Sequence, residues 1–87
     1  MEQLEDFRKS IDNIDNAIVA MFAERFKITD KVGVYKAHNN LPAQDKTREA
    51  AQFERIAELA TSYGLDAEFA KSYLATVVAT VVEKHRV

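Results

Sequence analysis

The stretch LEDFRKSIDNIDNAIVAMFAERFKITDKVGVY, residues 4–35, decides the fold. Apolar residues recur at Leu4, Phe7, Ile11, Ile14, Ile18 and Met21, and again at Ile28, Val32 and Tyr35. The steps alternate three and four, the rhythm of a helix burying one seam. Arg25 stands in the slot where the next apolar residue belongs. A charge on a packing seam is costly unless it is paired, so it points either to a buried ion pair or to a ligand. Lys36 follows eleven residues later, about three turns on, and returns to nearly the same face. Two cations aimed from one face into an interior outline an anion pocket.

Nothing stops this helix before His38-Asn39-Asn40-Leu41-Pro42, so it is expected from about Glu2 to about His38. Gly33 costs about 1 kcal/mol relative to Ala inside a helix, and allows close approach of a neighbouring helix. A second helix is expected from Ala43–Asp45 to Tyr63-Gly64, with Asp45 as N-cap, Glu49 in the first turn and Gly64 as C-terminal cap. Its apolar face holds Phe53, Ile56, Leu59 and Ala60. A third helix follows Asp66, with Phe69, Tyr73, Leu74, Val77, Val78, Val81 and Val82 on a broad apolar face. The valines also suit a strand, but no second strand exists to pair with it.

The rest of the composition agrees with an all-α fold of three helices, one long and two shorter. Two glycines and one proline in 87 residues leave little material for turns. That length makes one domain, residues 1–87. There is no cysteine, hence no disulfide framework and no thiolate metal site. A formal net charge of −2 argues against a nucleic-acid partner. No apolar run approaches ~20 residues and no signal-like start is seen, so a cytoplasmic protein without membrane contact is expected.

Length also predicts assembly. A helix of ~36 residues spans about 54 Å, whereas a globule of this size is roughly 30 Å across. The long seam therefore overshoots a monomeric core and calls for a second chain, most simply in an intertwined homodimer. Arg8 lies about 25 Å along the helix from Arg25. To serve the same pocket it must come from the partner chain, as antiparallel pairing of the long helices allows.

Taken in order, Phe7-Arg8-Lys9-Ser10-Ile11-Asp12-Asn13-Ile14-Asp15, Ala23-Glu24-Arg25, Val32-Gly33-Val34-Tyr35-Lys36, Pro42-Ala43-Gln44-Asp45-Lys46-Thr47-Arg48-Glu49 and Gly64-Leu65-Asp66 resemble the all-helical class of chorismate mutases. The resemblance implies a [3,3] rearrangement of chorismate to prephenate, toward phenylalanine and tyrosine. It implies neither a cofactor nor a metal. It gives Arg25 one substrate carboxylate and Arg8 of the other subunit the second. Lys36 donates to the ether oxygen, and Glu49 accepts from the ring hydroxyl beside the Asp45 backbone. Arg48 lines the carboxylate end. In the third helix an ungapped match places Val81 and His85 where better-known members carry a small hydroxyl residue and a Gln. A one-residue slip selects Thr80 and Lys84 instead. Val81 offers only packing, and His85 is expected to donate to the ether oxygen.

Other readings stand beside these. Lys36 near a helix end is an ordinary dipole-favoured cation, Glu49 an ordinary first-turn acid, and Arg8 an ordinary surface charge. At the level of function, an isochorismate pyruvate lyase uses a similar fold and similar cations, but carries an apolar residue at the position of Glu49. A non-catalytic helical dimer, acting as a regulatory or docking module, is the alternative outside enzymes.

Overall fold

A computed structural model describes residues 2–85. Three helices follow one another: α1 (Glu2–His38), α2 (Lys46–Ser62) and α3 (Ala67–His85). No strand occurs among the described residues. α1 runs unbroken for 37 residues, with Glu2 and Glu5 in its first turn and Lys36 and His38 in its last, each matching the helix dipole. It ends where Leu41 N–H donates to the Lys36 carbonyl at 2.9 Å. That closure places Asn40 at φ 55°, a left-handed conformation asparagine tolerates better than most residues.

The other boundaries follow from caps. Asp45 Oδ1 accepts from the Arg48 backbone N–H at 3.0 Å, opening α2. At its far end Leu65 N–H reaches back to the Ala60 carbonyl at 2.8 Å, with Gly64 at φ 73°. An added Cβ at Gly64 would meet nothing within 4 Å, so the backbone angle, not crowding, requires glycine there. Asp66 Oδ1 accepts from Glu68 N–H at 3.0 Å and opens α3. The valine-rich segment is helical because burial decides it: Ala70, Leu74 and Val77, spaced four and three apart, are buried against the neighbours.

α3 packs against both other helices. It runs alongside α1 in the same direction. Phe22 meets Tyr73 with ring centroids 5.5 Å apart, Lys84 Nζ lies 4.7 Å from the centroid of the Phe26 ring, and His85 reaches Thr29. Gly33 makes the last contact possible. A Cβ there would sit 2.7 Å from the His85 ring, so glycine provides the slot into which the ring fits.

The half-buried residues of α1 are Phe22, Arg25, Phe26, Thr29, Gly33 and Lys36. They form one face at helical spacing, and it is not the seam read from the sequence. That seam is exposed along its whole length, not merely over the half that overshoots: Phe7 is 57% exposed, Ile14 59%, Ile28 56% and Tyr35 63%. Only Arg25 belongs to both. The molecule is correspondingly drawn out, 57 × 24 × 16 Å with a radius of gyration of 16.4 Å, against about 12 Å for a globule of this length. No described helix is long and apolar enough to cross a membrane.

Candidate active site

One cavity between the three helices gathers most of the residues singled out from sequence. Arg25, Lys36, Asp45, Arg48, Glu49 and Val81 line it together, with Thr29, Ala43, Gln52, Val78 and Val82. Each helix contributes a different chemistry. α1 supplies Arg25 and Lys36 from its covered face. The first two turns of α2 supply Arg48, Glu49 and Gln52, while α3 supplies a wall of three valines.

Lys36 is held in place by the connection that follows its helix. Its Nζ donates to the Ala43 carbonyl at 3.2 Å, across the bend between α1 and α2. An ammonium has three donors, so this bond positions the group and leaves N–H groups for a ligand. Arg25 and the side chain of Arg48 make no ion pair or hydrogen bond with the described residues. The buried-ion-pair reading of Arg25 therefore has no partner among them, and the guanidinium is left for an anion.

Glu49 is tied from one side. Gln44 Nε2 donates to its Oε1 at 3.3 Å, while Oε2 is buried with no partner. An unsatisfied buried acceptor costs about 1–3 kcal/mol, and a ligand hydroxyl would relieve it. Asp45 has its side chain engaged as the N-cap of α2. Arg25, Lys36 and Arg48 against Asp45 and Glu49 leave the lining with an excess of one positive charge.

Two residues named from sequence are not brought to this cavity. Arg8 lies on the exposed first third of α1, paired with Glu5 at 3.0 Å while 61% exposed. His85 stands on the expected helix, but its ring occupies the Gly33 slot. Its Nε2 donates to the Thr29 carbonyl at 2.8 Å, and Nδ1 is buried without a partner. The one-residue slip fares no better: Lys84 lies 3.8 Å from Asp30, and Thr80 donates to the Thr76 carbonyl.

Thr29 and Gln52 line the cavity and were not singled out from sequence. A second cavity of about 270 Å³ adjoins the first, lined by Arg25, Arg48, Gln52, Arg55, Ile56, Tyr73 and Leu74. Three guanidiniums and no carboxylate face it. The arrangement can hold an oxyanion at several points, hold a hydroxyl at Glu49 and set an ammonium against a polar atom between them.

Residues 7–86 match the family model described as chorismate mutase type II. The chain is 41% identical over 59 residues to the bifunctional chorismate mutase/prephenate dehydratase of Aquifex aeolicus, covering 68% of this chain and 16% of that protein. It is 35% identical over 66 residues to the chorismate mutase of Methanocaldococcus jannaschii, covering 76% of this chain and 67% of that one. It is 31% identical over 74 residues to the T-protein of Haemophilus influenzae, covering 85% and 20% respectively. The chain thus spans two thirds of the Methanocaldococcus relative, but a fifth or less of the other two.

Proposed function

This chain belongs to the chorismate mutase type II family, and from that premise we propose that it rearranges chorismate to prephenate as a single catalytic domain in the cytoplasm. The observation that carries the reading is the convergence of Arg25, Lys36 and Arg48 with Glu49 on one cavity, with neither guanidinium paired within the described residues.

Chorismate is a dianion with two carboxylates, a ring hydroxyl and an enol ether. In the [3,3] shift a carbon–oxygen bond breaks as a carbon–carbon bond forms, and negative charge develops on the ether oxygen. No nucleophile is required, so catalysis consists of holding the pyruvyl arm over the ring and stabilising that charge. Arg25 takes one carboxylate through its planar fork, and Arg48 supports the same end. Lys36, already positioned by Ala43, gives its remaining donors to the ether oxygen. Glu49 Oε2 accepts from the ring hydroxyl beside the Asp45 backbone, and Val81 with its neighbours packs the apolar face. The Glu49 acceptor favours a mutase over a lyase, whose corresponding residue is apolar.

The same reading makes the protein an intertwined homodimer. The uncovered seam of α1 is the face a second copy covers, and antiparallel pairing brings Arg8 of that copy to the substrate's other carboxylate. His85 acts at one remove. Its bond to the Thr29 carbonyl pins α3 and the valine wall to α1. Direct donation to the ether oxygen requires the ring to leave that carbonyl.

Turnover of chorismate by the purified chain, with the product identified by chromatography, tests the proposal. Prephenate formed with kcat/KM above about 10⁴ M⁻¹s⁻¹ places it among ordinary enzymes. Pyruvate released from isochorismate instead would move it to the lyases. Neither activity from a folded dimer would leave the binding-module reading.

A further inference from the structure

Gln52 repeats on α2 the anomaly that Arg25 presents on α1. It stands beside Phe53 and one turn before Ile56, on the stripe by which α2 meets its neighbours, and it is half-buried. Counting from the cap, Asp45, Arg48, Glu49 and Gln52 fall at successive helical steps of three, one and three, along one face. Its amide makes no hydrogen bond with any described residue. Half-buried and facing the cavity, the amide keeps both its donor and its acceptor open to whatever fills that space.

Position says what that partner is. Gln52, Arg25 and Arg48 are the three residues that line both cavities of the site. The first cavity holds about 90 Å³ and the second about 270 Å³. Ligand pockets begin at about 300 Å³, which the first does not reach and the two together exceed. A ten-carbon dianion that outgrows the first cavity finds the second next to it, across the junction where Gln52 stands.

We propose that Gln52 is a substrate contact at this junction, its amide N–H donating to the dianion while its carbonyl accepts from a flanking guanidinium. The inference rests on the dianion reading of the site given above. An amide suits the place because it offers a donor and an acceptor without charge. A carboxylate there would pair with Arg25 or Arg48 and cancel the field that binds the substrate. An aliphatic group would leave the ligand oxygen without its donor.

The test uses the full chain and the Gln52→Leu and Gln52→Glu variants. It reads chorismate turnover, calorimetric affinity for prephenate, and Tm. For Gln52→Leu, affinity and kcat/KM should fall on the order of tenfold, while Tm holds because the amide makes no hydrogen bond within the described residues that the change could break. Gln52→Glu should bind prephenate more weakly still, with Tm unchanged or raised by its new ion pair. Affinities within twofold across all three proteins overturn the inference, as does a loss for Gln52→Leu that only tracks a lowered Tm. Wild-type protein that binds prephenate in a residue-52-dependent way but turns over no chorismate sinks the mutase reading and keeps this contact. Normal turnover with no dependence on residue 52 does the reverse, and a wild type that binds no prephenate removes both.

Discussion

Two faces of α1, about one residue or 100° of rotation apart, carry different chemistry. One presents Leu4, Phe7, Ile11, Ile14, Ile18, Met21, Ile28, Val32 and Tyr35, all exposed. The other presents Phe22, Arg25, Phe26, Thr29, Gly33 and Lys36, each partly covered. The more regular apolar stripe is thus the one its own chain leaves open. The less regular stripe, with a glycine, a threonine and two cations, is where α3 docks and the site forms. Periodicity reports that a face needs a cover, but not which cover. Irregularity within a covered face reports what else that face must do.

The comparison breaks most visibly at Ile14. Aspartate at a residue so exposed ordinarily changes stability by less than about 0.5 kcal/mol. If a second copy covers the open stripe, Ile14→Asp should abolish self-association in sedimentation and activity with it. An unchanged dimer with unchanged turnover would show that the stripe needs no cover. On the other face, Lys36→Ala should lower kcat by about 10²–10³-fold, as removal of one preorganised donor does, with Tm little altered. A rate close to wild type would return Lys36 to an ordinary helix-end cation.

Mixing joins the two faces. Arg8→Ala and Lys36→Ala proteins should each be nearly inactive, yet an equilibrated mixture should recover to about a quarter of wild-type activity. Half the dimers are then hybrid, and one of their two sites is intact. No recovery would place Arg8 outside the site. The smallest effect is expected from His85→Gln. Losing or weakening the bond to the Thr29 carbonyl should lower stability by about 1 kcal/mol, with kcat/KM moving less than threefold. A larger fall in kcat at constant Tm would bring His85 back to the substrate.

Helix limits were legible because they rest on local groups. Asp45, Asp66, Gly64 and the Asn39-Asn40 pair each satisfy an end of the backbone ladder through their own side chain or backbone angle. Arg25 was legible because it interrupts a long repeat. Gln52 interrupts a stripe as well, but α2 is 17 residues long and a neutral amide on it is a weaker discord than a guanidinium. The placement of His85 was not legible. Register gave its helix and face, but the slot at Gly33, more than fifty residues earlier, is a tertiary fact that only packing reveals. The covered stripe of α1 escaped the sequence as well, since it contains too few apolar residues to make a pattern.

The bend between α1 and α2 serves as a gauge block. Surface connections usually absorb insertions and deletions without harm. This one starts at the helix end that carries Lys36, turns through a left-handed Asn40, and returns the Ala43 carbonyl to the Lys36 ammonium. Two residues on, Asp45 opens the helix that carries Arg48 and Glu49. One residue more or fewer shifts the chain by up to about 3.5 Å, farther than a hydrogen bond can stretch. Drift in this family member's sequence can alter the letters of that connection far more freely than their number.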